Sequence, residues 1–197
     1  MANEAPGFED VAPDHPARRH IAAVVRAGIV SPLSLNPPRF GPDYAVTRAQ
    51  LAVYLCRAMG LEPQETPSAT FADVSKSHWA YGFVEAIYAR GVMLRTGGPP
   101  PRFAPDEALT RGTIAVILCR AKGFEPLPRD TPTFADVPPD HWGYGWIERL
   151  VDRDSWCGVL MSGGCDPGPP PKFCPDDIVT RASLAVFLGR AFGIVRE

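Results

Sequence analysis

The stretch FAPDEALTR, residues 103–111, has near-copies in FGPDYAVTR, residues 40–48, and FCPDDIVTR, residues 173–181. In each, Phe leads, Pro-Asp takes the third and fourth places, and Thr-Arg closes the phrase ahead of an apolar run. Phe40 and Phe103 lie 63 residues apart, as do Thr47 and Thr110. Repetition at a fixed period settles the architecture before any single element does.

The repeat extends outward from this phrase. Phe8, Phe71 and Phe134, again 63 apart, open FEDV, FADV and FADV. Each is followed by a run with His at a matched place (His15, His78, His141) and Gly at its end (Gly28, Gly91, Gly158). Ile21, Val24 and Val25 have helical spacing in the first run, as do Ala80, Phe83, Val84 and Ile87 in the second and Trp146, Ile147, Leu150 and Val151 in the third. Asp14, Ser77 and Asp140 offer N-caps, and Pro16 fits a first turn. The third run carries four extra residues between His and Gly, about one helical turn.

A second helix starts at each Thr-Arg. Leu51, Tyr54, Leu55, Ala58 and Met59 form one apolar stripe, repeated by Ile114, Ile117, Leu118 and Ala121 and by Leu184, Phe187, Leu188, Ala191 and Phe192. Thr47, Thr110 and Thr180 are N-caps, and Gln50 completes a capping box with Thr47. Thr113 and Ser183 leave only half the box in the other copies. Gly60, Gly123 and Gly193 suit left-handed helix ends. A lone helix pair of this size cannot bury its own stripe. The expected fold is therefore all-α, with three helix-loop-helix repeats packed as a pseudo-threefold spindle; an open solenoid is the alternative.

Arg48, Arg111 and Arg181 fall at the first helical position, where a cation opposes the helix dipole by ~0.3–1 kcal/mol. An arginine placed so three times asks for an anion. One source is internal: Asp43, Asp106 or Glu107, and Asp176 or Asp177 lie just upstream. The other is an external carboxylate or phosphate held by helix N–H groups and the guanidinium fork. In the external case Arg111→Ala leaves stability nearly unchanged.

Composition narrows the function. Hydrophobic content of 45%, charged content of 21% and a net charge of −2 describe an ordinary soluble globular chain. No basic run supports nucleic-acid binding, and no apolar stretch reaches the ~18 residues of a membrane span. The opening MANEAPGFED lacks the features of a signal peptide. The 23 prolines gather in connectors such as LEPQETPSAT and FEPLPRDTPT, which read as stiff and extended.

The phrase F-x-D-V…H-W-x-Y…F-x-P-D…V/L-T-R-A resembles the S-layer homology domain, in three tandem copies at residues 8–60, 71–123 and 134–193, with linkers 61–70 and 124–133. The resemblance implies a helical spindle anchoring proteins to the bacterial cell surface, extracellular, without catalysis. Its implied ligand is an acidic cell-wall polysaccharide, often carrying pyruvate ketals, bound in grooves between repeats. It assigns Arg48, Arg111 and Arg181 to that sugar, beside Thr47, Thr110 and Thr180. Trp79 and Trp142, with Tyr81 and Tyr144, hold positions that line a groove in the family; core packing at the repeat junction is the alternative use. The chain departs from the family in lacking its signature Glu, replaced by Gln50, Thr113 and Ser183, in Gly112 for Ala, and in Pro16 where a Trp follows His. A second reading is a structural subunit whose spindle binds other surface-layer or envelope proteins.

Of five cysteines, Cys165 and Cys174 flank a Pro/Gly-rich loop and read as a loop-closing disulfide worth ~2–3 kcal/mol. Such a bond belongs to an oxidising compartment, and the pair resembles family variants with a G-C…F-C-P pattern. Cys56 and Cys119 share one helical site as small buried groups, with Gly189 as the third member. Cys157 is left over, unpaired or an alternative partner for Cys165. No metal or cofactor is expected, since no His lies near the cysteine pair and no catalytic or phosphate-loop motif occurs. His78 and His141 repeat with the architecture, and His20 stands where copy two has Phe83.

Overall fold

The computed structural model describes residues 7–152, 165, 168–169 and 171–195. Six helices carry the fold: α1 (Arg18–Arg26), α2 (Arg48–Met59), α3 (Tyr81–Ala89), α4 (Arg111–Ala121), α5 (Tyr144–Val151) and α6 (Arg181–Ala191). A two-residue antiparallel ribbon, β1 (Ser34–Leu35) with β2 (Pro38–Arg39), is the one departure from helix and loop among named elements of the described residues. None of these helices is long and apolar enough to cross a membrane.

Helices of 8 to 12 residues are marginal alone. They are stabilised by pairing, and the pairs cross the repeat boundaries: α2 packs on α3, α4 on α5, and α6 on α1. The last pair closes a ring, which an open solenoid would not do. At its centre the three V/L-T-R segments hydrogen-bond in a cycle. Val46 N–H donates to Val179 O (3.0 Å), Val179 N–H to Leu109 O (2.8 Å), and Leu109 N–H to Val46 O (3.0 Å). One hydrophobic core runs through all three repeats and includes Phe40, Phe103 and Phe173, all fully buried.

The two recurring phrases are halves of one fastening. The F-x-D-V aspartate accepts two backbone N–H groups from its own repeat's F-x-P-D loop: Asp10 from Phe40 and Gly41, Asp73 from Phe103 and Ala104, Asp136 from Phe173 and Cys174, all at 2.7–2.8 Å. The two phenylalanines of each repeat meet at 5.7, 5.4 and 5.3 Å between ring centroids. Burial opposes ionisation of Asp10 and Asp73, but the N–H donations together outweigh it and hold both carboxyls below the usual carboxylate range. The residue after each loop Phe is left-handed, at φ 72° for Gly41, 56° for Ala104 and 54° for Cys174. Cys174 is disulfide-bonded to Cys165, with a Cα–Cα distance of 5.9 Å.

The first helix of each repeat begins later than Asp14, Ser77 and Asp140 imply. A turn intervenes, closed by the His N–H on the carbonyl three residues back. The helices start at Arg18, Tyr81 and Tyr144 with no side-chain cap at the N-cap position. The repeated histidine holds this junction, its Nδ1 accepting from Ala17, Ala80 or Gly143 at 3.1–3.2 Å. The helix ends follow the glycines, with positive φ at Gly28, Gly60, Gly91, Gly123 and Gly193. Gly158, Cys157 and the four-residue insertion lie outside the described residues.

Both Pro-rich linkers are fastened to the helix that follows. Glu85 is buried and accepts from the N–H and hydroxyl of Thr70 (2.9 and 2.6 Å); Glu148 does the same with Thr133 (2.7 and 2.6 Å). A Cβ on Gly82 would sit 2.8 Å from Pro63, and one on Gly145 3.0 Å from Pro126. The glycine after each Tyr is therefore set by a linker crossing the helix. At the helix joints, Cys56 and Cys119 donate to the carbonyls of Phe83 and Trp146, while at the closing joint Gly189 makes room for buried His20. Burial pushes the Cys56 thiol up to about 11, which leaves it inert as a nucleophile.

Candidate functional site

The helix N-termini that looked open to an anion are occupied by the protein itself. Arg48 and Ala49 N–H donate to Glu107 and Pro105 carbonyls; Arg111 and Gly112 N–H to Asp177 and Pro175; Arg181 and Ala182 N–H to Tyr44 and Pro42. The threonine caps complete the set, with Thr47, Thr110 and Thr180 accepting from the N–H groups of Gln50, Thr113 and Ser183. Gln50 closes the capping box by accepting from Thr47 N–H (3.1 Å).

The arginines reach across to the next repeat rather than back along their own. Nε of Arg48 donates to Phe103 O (2.6 Å), that of Arg111 to Phe173 O (2.8 Å), and that of Arg181 to Phe40 O (2.7 Å). Each guanidinium also lies over the ring of that same Phe, at 4.8, 4.9 and 4.5 Å from the centroid. Arg48 gives a further bond to Leu94 O (2.9 Å). Arg181 gives two more, to Tyr54 Oη and Ser31 O, both 2.7 Å, and is only 2% exposed. Burial lowers the pKa of Arg48 and Arg111 from the ordinary arginine value. The anion-like partner of each helix-start arginine thus includes a backbone carbonyl in a neighbouring repeat.

Next to Arg48 the surface opens into a groove of about 330 Å³, within the ~300–1,000 Å³ typical of ligand sites. Arg48 forms part of its lining, α4 contributes Thr113, Ile117 and Arg120, and the segment after α3 contributes Arg95 and Thr96. Trp142 and Trp146 form the wall from the third repeat. Three arginines line the groove, and the lining includes no carboxylate. Among the described residues no carboxylate is ion-paired with Arg95 or Arg120; Arg120 lies over the Trp146 ring at 5.3 Å.

The aromatic residues after each His divide by position. Trp79 and Trp142 are 63% and 59% exposed, so core packing is not their use. Tyr81 and Tyr144 are buried instead, and the Tyr144 hydroxyl donates to the linker at Arg129 O (2.7 Å). Arg95 and Arg120 were not legible as site residues from the phrases alone. For Arg120 a signal was present: Arg57, Arg120 and Arg190 recur at one place on the three second helices, the first two 63 apart.

Two stretches of the chain match a known family. Residues 7–52 and 70–115 match the S-layer homology domain. In both stretches the match takes in both halves of the Asp–loop fastening and the helix-start arginines Arg48 and Arg111. Over longer stretches the chain is similar to a cell surface protein of Thermoanaerobacter kivui, 25% identical over 95% of this chain and 21% of that protein. It is also similar to an S-layer protein of Bacillus thuringiensis subsp. finitimus, 27% identical over 96% of this chain and 22% of that protein. An endoglucanase of Bacillus sp. (strain KSM-635) is 38% identical over 42% of this chain and 8% of the enzyme. The chain thus spans about a fifth of the length of the first two relatives.

Proposed function

We propose that the chain is a non-catalytic module of three S-layer homology repeats, at 8–60, 71–123 and 134–193, that anchors a protein to the bacterial cell wall. Its ligand is an acidic polysaccharide, a pyruvate ketal being one source of the charge. The observation that carries this reading is the groove of Arg48, Arg95 and Arg120 beside exposed Trp142, with no carboxylate in its lining. Guanidinium groups in a fork suit a carboxylate, and an exposed indole offers a flat apolar face to a sugar ring. The relatives support the same reading, since the shared portion occurs in surface-layer proteins and in an endoglucanase, as expected of a carrier module rather than a catalytic one. Arg111, Arg181 and Trp79 hold the equivalent places at the other junctions.

The test is sedimentation with purified cell-wall sacculi, before and after chemical removal of the attached polysaccharide. Binding should be lost on removal, and Arg120→Ala and Trp142→Ala should each weaken it about tenfold or more, the scale of one charge-assisted contact. Undiminished binding to stripped sacculi would discard the polysaccharide as ligand.

A further inference from the structure

Every groove residue on α4 and in the segments flanking it has a counterpart 63 positions earlier, so the positions for a second groove of the same design lie around Trp79. There Arg181 takes the place of Arg48, Arg57 that of Arg120, Gln50 that of Thr113 and Phe83 that of Trp146. Leu33 stands for Thr96, and three further replacements bear on its charge. Pro32 stands where Arg95 stands, removing one cation, and Tyr54 stands where Ile117 stands. The Tyr54 hydroxyl accepts from Arg181 Nη1 at 2.7 Å, and Ser31 O takes Nη2. Arg57 is drawn aside too, donating to Ser31 Oγ at 2.9 Å. Leu94, the counterpart of Ser31, has no hydroxyl to hold Arg120 in this way.

We infer that, of these two grooves, only the one at Trp142 accepts an acidic sugar, and that Tyr54 and Pro32 close the one at Trp79 to it. This rests on the anchoring reading above. Tyr54 acts as an internal substitute ligand: its hydroxyl takes the guanidinium edge that an incoming carboxylate would use, from a buried ring that cannot leave without opening the core. An entering carboxylate would have to break that bond and find only Arg57 in exchange. In the Trp142 groove Arg95 and Arg120 receive it with no such bond to break. Arg95 and Tyr54 are therefore specificity-determining residues, one for each groove.

The experiment is a titration of the full chain with 4,6-pyruvylated methyl glucoside, read by the indole N–H resonances of Trp79 and Trp142. Trp79→Phe and Trp142→Phe assign the signals, and methyl glucoside is the uncharged control. The Trp142 signal should shift saturably and the Trp79 signal should stay, with Arg95→Ala weakening the Trp142 site about ten- to a hundredfold. Pro32→Arg combined with Tyr54→Ile should make Trp79 respond. Tyr54→Phe, which keeps the ring and removes only the hydroxyl, combined with Pro32→Arg, should give the same gain if the isoleucine variant misfolds. Saturable shifts at both tryptophans of the natural chain would overturn the inference and leave the anchoring reading standing. Shifts at Trp142 with no gain in any folded opened variant would overturn the assignment of Tyr54 and Pro32 as the block. No shift at either tryptophan would overturn this inference and discard the pyruvate ketal as the charge, while the sacculus sedimentation decides the anchoring reading itself.

Discussion

An arginine at the first position of a helix looks misplaced until its partner is seen. Arg111 sits beside N–H groups already filled by Asp177 and Pro175 carbonyls, so the positive helix end is screened by the next repeat's loop. Its Nε is bonded to Phe173 O and its plane covers two rings, Phe173 and Phe187. Arg111→Ala should therefore lower stability by about 1.5–3 kcal/mol, the range for a hydrogen bond from a charged group. Arg111→Lys should recover little, because an ammonium cannot both stack and donate along a fixed plane. Thermal melts check this; an unchanged midpoint for the alanine variant would mean that the bond to Phe173 contributes nothing. The sequence made the oddity of Arg48, Arg111 and Arg181 legible but not its resolution. The receiving carbonyl is 55 to 141 residues away for Arg48 and Arg181, and a main-chain oxygen carries no residue-type signal.

At the scale of elements, helix positions, apolar faces and end glycines were readable because periodicity and left-handed ends are local properties. The helix starts at Arg18, Tyr81 and Tyr144 were not, because a preceding turn and a histidine nitrogen replaced the expected Asp or Ser cap. The linkers hid their most consequential contact. Glu85 and Glu148 sit on helices where an acidic residue suggests a solvated face, yet both are buried and bind the last residue of the linker. Glu148→Ala should leave two donors of Thr133 unsatisfied and the Arg129 guanidinium without its 3.3 Å contact. The expected loss is about 2–4 kcal/mol. Urea denaturation measures it, and limited proteolysis should show earlier cutting in residues 124–133. Equal stability of Glu148→Ala and the natural chain would mean that this linker is not held by its carboxylate.

For the whole molecule, three near-copies without a polar cap already favoured closure, but which helices meet could not be read from the repeat alone. The packing pairs straddle repeat boundaries, so no repeat contains its own principal helix partner. Deleting residues 134–197 removes the partners of both α4 and α1 at once. The remaining fragment should aggregate or melt broadly, by differential scanning calorimetry and light scattering; a monomeric, sharply melting fragment would contradict a shared core. The same closure bears on how the chain assembles. The Arg48–Phe103 clasp spans 55 residues and the Arg181–Phe40 clasp spans 141. Loop-closure entropy grows only with the logarithm of length, so this difference amounts to roughly 0.8 kcal/mol. Joining the two distant ends of the chain is therefore scarcely harder than joining neighbours. No joint is forced to be last, and assembly can begin at whichever pair of repeats meets first.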